Sequence, residues 1–195
     1  MSALPARTDE ADKRSAILAA ALELFMERGY YGTAVPAVAE RAGVGAGTIY
    51  RYFKSKEDLV NALYRQCKEA LAMHVLVGIS PTAPPREQFH ELWVRLAGFT
   101  RANPRIFSFL ELHHHASYLD DDSRAVERRV LDLATSFVAK LQAAKVVKPI
   151  SPEVLMAIVY WSFVGLARCE QEGRLVLDDE NLAAAEQCVW EAIRF

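Results

Sequence analysis

From Arg14 to Gly29 the chain reads RSAILAAALELFMERG, with Ile17, Ala20, Ala21, Leu24 and Phe25 at spacings of three and four. That period gathers them into one apolar stripe of an α-helix, and Gly29 supplies a C-cap. Thr33 stands where an N-cap is expected ahead of AVPAVAERA, with Pro36 in the first turn and Gly43 as the stop. A short third helix fits Ala46 to Phe53. Ser55 opens a fourth, with Asp58 three residues on as in a capping box, and it runs to about Val77.

GISPTAPP (78–85) is the clearest linker. Longer helical patterns follow over about Arg86–Ala102, Arg105–Ser117 and Ser123–Ala144. Asn103-Pro104 separates the first two. Ser151-Pro152 reads as an N-cap with proline at the first helical position of a helix reaching Glu172, with Gly173 beyond it. A last helix runs from about Asp179 to the C-terminus. No strand alternation interrupts this, so the expectation is an all-α fold. A three-helix helix-turn-helix domain (1–54, its first ~10 residues disordered) precedes a larger helical bundle (55–195), with helix 55–77 connecting the two.

The glycines of AGVGAGTIYRYFKSKEDL (42–59) allow two readings. A nucleotide-phosphate loop needs a buried strand before it and commonly a G-K-[ST] ending, and here the preceding VPAVAERA is helical and charged. A helix-turn-helix corner fits better. Ile49 and Phe53, four apart, turn inward toward Leu24, Phe25 and Val38, while Thr48, Arg51 and Tyr52 share another face, with Gly47 and Lys54 at its edge. Net charge changes the picture only locally. It is −2 over 195 residues, yet Arg41, Arg51, Lys54 and Lys56 occur with no acid between Arg41 and Lys56. That is the sign of one anionic contact surface on an otherwise mildly acidic chain.

With its residues in order, ILAAALELFMERGYYGTAVPAVAERAGVGAGTIYRYFKSKEDL resembles the DNA-binding domain of the TetR family of bacterial transcriptional repressors. The resemblance implies phosphate contacts from Thr33, Thr48, Tyr50, Tyr52 and Lys56. It places Ala46, Gly47 and Arg51 nearest the bases, with Tyr52 sharing that task. Gly45 departs from the Ser or Thr usual at the cap. Ala46 and Gly47 carry no hydrogen-bonding side chain, so readout leans on Arg51, methyl contacts and DNA shape. The expected function is a ligand-responsive regulator, a repressor binding a palindromic operator as a homodimer and released by a small-molecule effector. It is not expected to be an enzyme or to need a cofactor.

In the bundle, Phe107, Leu110, Glu111 and His114 share a face, with Trp93, Phe137, Trp161 and Arg168 as neighbours. From the residues alone these are either an effector pocket or plain core; the resemblance implies the pocket. The consecutive His113, His114 and His115 point about 100° apart on a helix and cannot share one ion. Glu87/His90 and Glu111/His114 match the Glu-x-x-His spacing of di-iron bundles, which keeps a di-metal oxidase as the rival reading. Its first member falls in an opening helical turn, and the expected metal site is none.

Ala157, Ile158, Trp161, Val164 and Gly165, and later Ala183 to Ala185, Val189 and Ile193, mix bulky and small residues as interface or as core. The resemblance implies a dimer through the last two helices. Cys67, Cys169 and Cys188 are odd in number and widely spaced, which fits a reducing, cytoplasmic setting. No apolar run is expected to approach the roughly 20 residues that span a bilayer.

Overall fold

The apolar stripe of Ile17, Ala20, Ala21, Leu24 and Phe25 is buried in the computed structural model, which describes residues 6–113, 115 and 117–195, with side chains from residue 10. Two compact units result, Met1–Glu69 with Asn103–Arg124, and Ala70–Ala102 with Ala125–Phe195. Among the described residues there is no strand, only one isolated antiparallel bridge between Val147 and Arg194.

The first unit starts with α1 (Ala6–Gly32), whose backbone leaves the helix at Gly29 (φ 70°, ψ 172°). This helix reaches back into the residues expected to be disordered. Next come α2 (Val35–Arg41) and α3 (Ala46–Tyr52). Between them Gly43 sits at φ 66°, where a side chain is disfavoured. Its N–H bonds Glu40 O and the Val44 N–H bonds Ala39 O, closing the helix with a Schellman turn. The inward residues are as expected: Leu24, Phe25, Val38, Ile49 and Phe53 are all buried. Ser55 opens α4 (Lys56–Leu76), its hydroxyl accepting the Asp58 N–H while the Asp58 carboxylate accepts the Lys54 N–H.

Thr33 departs from expectation. Ala34 is the residue ahead of α2, and the Thr33 hydroxyl instead turns back to Leu24 O (3.0 Å) and Gly29 O (2.8 Å). It closes the end of α1 rather than starting α2: the Thr33 N–H turns to Tyr30 O, and the hydroxyl takes over the Gly29 carbonyl that this N–H would serve in a continuing helix.

The sixth helix also departs. α5 is Pro85–Ala102, but α6 (Pro104–Leu112) ends well short of Ser117, with His113 extended. The buried His115 donates its Nε2–H to Phe109 O, a carbonyl of the last helical turn, and its Nδ1 accepts the Tyr118 hydroxyl at 2.7 Å. A side chain thus caps the helix that a longer helix would have continued. Desolvation holds the His115 pKa below the usual histidine value, in keeping with this neutral tautomer. Asn61 of α4, 1 % exposed, donates to Tyr118 O and accepts the Asp120 N–H. Phe109 in turn stacks on Phe25 of α1 at 6.5 Å between ring centres.

The second unit packs α5 against α10 (Asp179–Ile193). Trp93 is fully buried, donating its indole N–H to Leu182 O (3.1 Å) and meeting Phe163 edge-on. Glu186, also buried, is held by Arg86 and by His90 Nδ1 at 2.8 Å. α7 (Asp121–Ala143) contributes to both units. α8 (Pro152–Met156) passes through a π-helical turn (Ala157–Trp161) into α9 (Ser162–Gln171) without a break. Leu155, Phe163, Val164 and Ala167 lie inside, whereas Val154, Ala157, Trp161 and Gly165 are exposed.

This Pro152–Gln171 stretch corrects one expectation. It is 20 residues long with a mean hydropathy of 1.2 in its most apolar window, so by length and composition it does reach the spanning range. Only 22 % of that window is buried.

Phe25 meets both Tyr30 and Phe109 while 1 % exposed. Phe25→Ala is expected to cost about 3–5 kcal/mol of stability in the first unit, measured by urea unfolding.

Candidate nucleic-acid interface

The third helix is anchored by Ile49 and by Phe53 at its C-cap, and it exposes four of its residues. Ile49 (1 %) and Phe53 (2 %) are its buried side, and Ala46, Gly47, Tyr50 and Arg51 are exposed. Gly45 caps it in extended conformation with no side-chain bond, and the Thr48 N–H reaches Gly45 O at 2.8 Å. Thr48 is half-buried. A Cβ built on Gly47 would meet nothing within 4 Å, so this glycine is not demanded by the protein's own packing.

Three of the eight residues implied as DNA contacts sit differently from that implication. Thr33 is 2 % exposed with its hydroxyl committed to two carbonyls. Lys56 donates to Tyr30 O (3.0 Å) and Thr33 O (3.1 Å) and lies 4.2 Å from the Tyr30 ring centre. Two of its three ammonium protons therefore hold the turn before α2. The Tyr52 hydroxyl is buried with no hydrogen-bond partner among the described residues. Its ring lies beneath the Arg51 guanidinium at 5.5 Å.

The basic segment is also less free than its sequence. Arg41 bonds Glu23 (2.9 Å) and Glu27 (3.0 Å), which raises the Arg41 pKa and lowers that of Glu27. Arg51 Nη2 lies 3.3 Å from the Glu10 carboxylate, and Lys54 is exposed. The counter-charges come from α1, between 14 and 41 residues away along the chain, so local composition could not reveal them. The Tyr30 hydroxyl donates to Glu57 at 2.7 Å, and burial together with that carboxylate raises the tyrosine's pKa.

The effector candidates divide between the two units. In the first, Phe107 and Leu110 are buried, and Glu111 pairs with Lys68 (3.3 Å), both side chains mostly covered. In the second, Trp93 is core, Phe137 half-buried, and Trp161 and Arg168 are exposed, Arg168 pairing with Glu172 at 3.7 Å. His114 lies outside the described residues. Two surface hollows belong to the first unit, one lined by Arg14, Arg65 and Glu69, the other by Arg28, Glu40 and Arg41, and no effector candidate lines either.

Of the second Glu-x-x-His pair, Glu111 lies in the last turn of α6, which ends at Leu112, and His114 lies outside the described residues. His90 is engaged with Glu186. No group of three or more potential ligands gathers among the described residues.

Family comparison bears on what this outward helix serves. Residues 17–63 match the family described as bacterial regulatory proteins, tetR family, and residues 64–195 match the tetracyclin repressor-like C-terminal domain. The chain belongs to the TetR family of transcriptional regulators. This TetR-family chain is 30 % identical to the HTH-type transcriptional regulator RutR of Escherichia coli K12 over 159 residues, covering 77 % of this chain and 71 % of RutR. It is 24 % identical to the uncharacterized HTH-type regulator YhgD of Bacillus subtilis, over 88 % of this chain and 91 % of YhgD. A solved TetR-family structure from Vibrio parahaemolyticus superposes with a TM-score of 0.79 at 30 % identity, covering 94 % and 99 % of the two chains. NalD of Pseudomonas aeruginosa, the secondary repressor of the MexAB-OprM multidrug efflux pump, shares the fold at 19 % identity and a TM-score of 0.73, covering 96 % and 98 %. DNA binding and transcriptional regulation follow for this TetR member, and enzymatic work is not implied.

Open space around Gly47 predicts that Gly47→Ala stabilises the first unit by about 0.4–1 kcal/mol, since alanine restricts the unfolded chain without meeting a neighbour. Thermal unfolding of the two proteins is the check, and destabilisation would contradict this packing.

Proposed function

We propose that the chain acts as a homodimeric repressor whose α3 helices enter successive major grooves of a palindromic operator and are withdrawn when a small effector binds the second unit. The observation that carries the reading is the division of α3, with Ile49 and Phe53 buried and Ala46, Gly47, Tyr50 and Arg51 open. Small residues at a helix start let the backbone approach a duplex, and its free N–H groups suit phosphate. Arg51 is the long donor fitted to a guanine edge. Thr48, Tyr50 and the remaining proton of Lys56 serve the phosphates on either side, while Thr33 acts by fixing the turn from which α2 departs.

A second copy is the occupant we assign to the face carrying Val154, Ala157, Trp161 and Gly165. Trp161 is 58 % exposed, and large apolar side chains rarely stay in water beside others of their kind. Val164, Val189 and Ile193 are buried within the unit and serve its core. A two-fold dimer gives the spacing of about 34 Å that two half-sites require. An effector moves this spacing only by binding two conformers with different affinity. NalD, which shares this fold, is a repressor, and that supports the sign of regulation.

Two substitutions test the reading. Arg51→Ala is expected to lower discrimination between a duplex selected by the wild-type protein and a shuffled one by about 1–3 kcal/mol, read in a shift assay at fixed salt. Unchanged discrimination would remove Arg51 from base readout. Trp161→Ala is expected to weaken self-association by about 2 kcal/mol, near thirtyfold in Kd. Sedimentation of both proteins decides it, and an unaltered monomer–dimer equilibrium would move the interface elsewhere.

A further inference from the structure

Glu10 lies ahead of the residues matching the family's DNA-binding model, which begin at 17, yet its carboxylate reaches the recognition helix. Glu10 and Arg14 are four apart on α1 and so share a face. Glu10 contacts the last turn of α3 and Arg14 contacts Phe53, its C-cap. The Arg14 guanidinium stands 5.4 Å from the Phe53 ring centre, and Glu10 Oε1 is 3.3 Å from Arg51 Nη2. The two contacts lie one helical turn apart on α1. The pair itself remains open to water, with side chains 62 % and 64 % exposed. An exposed pair of this kind adds little to folding and exchanges partners readily.

Resting on the reading that α3 carries Arg51 to the bases, we propose that Glu10 is a specificity-determining positioning residue that makes Arg51 a poor ligand for phosphate while leaving it a good ligand for a base edge. A guanidinium has five N–H donors, and Glu10 engages Nη2 at one edge. Guanine O6 and N7 are neutral acceptors, so they take the remaining donors without confronting the carboxylate with another anion. A phosphate brings a full negative charge beside Glu10. It must either displace that carboxylate or sit against it. The cost therefore falls on non-specific binding, which depends on phosphate neutralisation. With Ala46 and Gly47 offering no side-chain hydrogen bonds, the state of this one guanidinium weighs heavily in the choice of sequence.

The test is Glu10→Gln in the full chain, with Asp12→Asn as a control that removes an exposed acid from the same helix. Binding is titrated against salt on a duplex selected by the wild-type protein and on a shuffled duplex. Glu10→Gln is expected to tighten binding to the shuffled duplex about two- to fivefold. It is expected to steepen that duplex's log–log salt slope by about one, the value of one added phosphate contact. Affinity for the selected duplex changes less, so the specificity ratio falls. In the Arg51→Ala background the same substitution is expected to do nothing. An equal effect from Asp12→Asn, or one that persists without Arg51, overturns the inference and leaves only general repulsion between acids and DNA. If Arg51→Ala itself leaves the specificity ratio intact, the base-reading role of Arg51 has failed; if it abolishes the ratio while Glu10→Gln leaves it unchanged, only the role of Glu10 has failed.

Discussion

The ammonium of Lys56 ties together the parts of the first unit that aim the recognition helix. It donates to Tyr30 O and Thr33 O across the turn that follows α1, and it lies against the Tyr30 ring. Tyr30 in turn donates to Glu57 and stacks on Tyr118 at 4.3 Å. The turn from which α2 leaves is thereby fixed to the start of α4 and to the loop after α6. The two Lys56 bonds satisfy backbone carbonyls beside the bend at Gly29. The orientation of α2, and of α3 beyond the Gly43 corner, follows from that closure.

The same economy governs the charges. Arg41 belongs to Glu23 and Glu27, Lys56 to two carbonyls, and Arg51 to Glu10 in an open pair. Three of the four cations that a linear reading sees as a basic patch are folded into contacts of graded strength. The tightest are structural, and the most exposed is the one at the tip of α3. A regulator must distinguish one stretch of duplex from a vast excess of similar backbone, so restraint of free positive charge serves selectivity better than abundance does.

Much of the helix-turn-helix unit was legible because its signals are local. Capping at Ser55, the glycine stop at Gly43, the proline in the first turn of α2 and the three-four spacing of Ile17 to Phe25 each act over a few residues. The segment 113–120 was not legible. ELHHHASYL carries helix-compatible residues, and nothing within it announces that His115 will cap Phe109 or that Asn61, more than fifty residues earlier, will hold Tyr118 and Asp120. Asn61 amid the apolar positions of α4 was the available signal, since a buried amide must have partners.

The sequence by itself determined the all-helical architecture, the corner between α2 and α3, and which side of α3 is anchored, because period, caps and glycine conformation are properties of neighbouring residues. Only the tertiary structure decided that Thr33 faces inward, that Lys56 holds a turn, that Glu10 meets Arg51, and that Trp161 stands in water while Val164 is covered. Those outcomes depend on groups distant in the chain competing for the same donors, acceptors and apolar surface, and that competition is settled only when the helices pack.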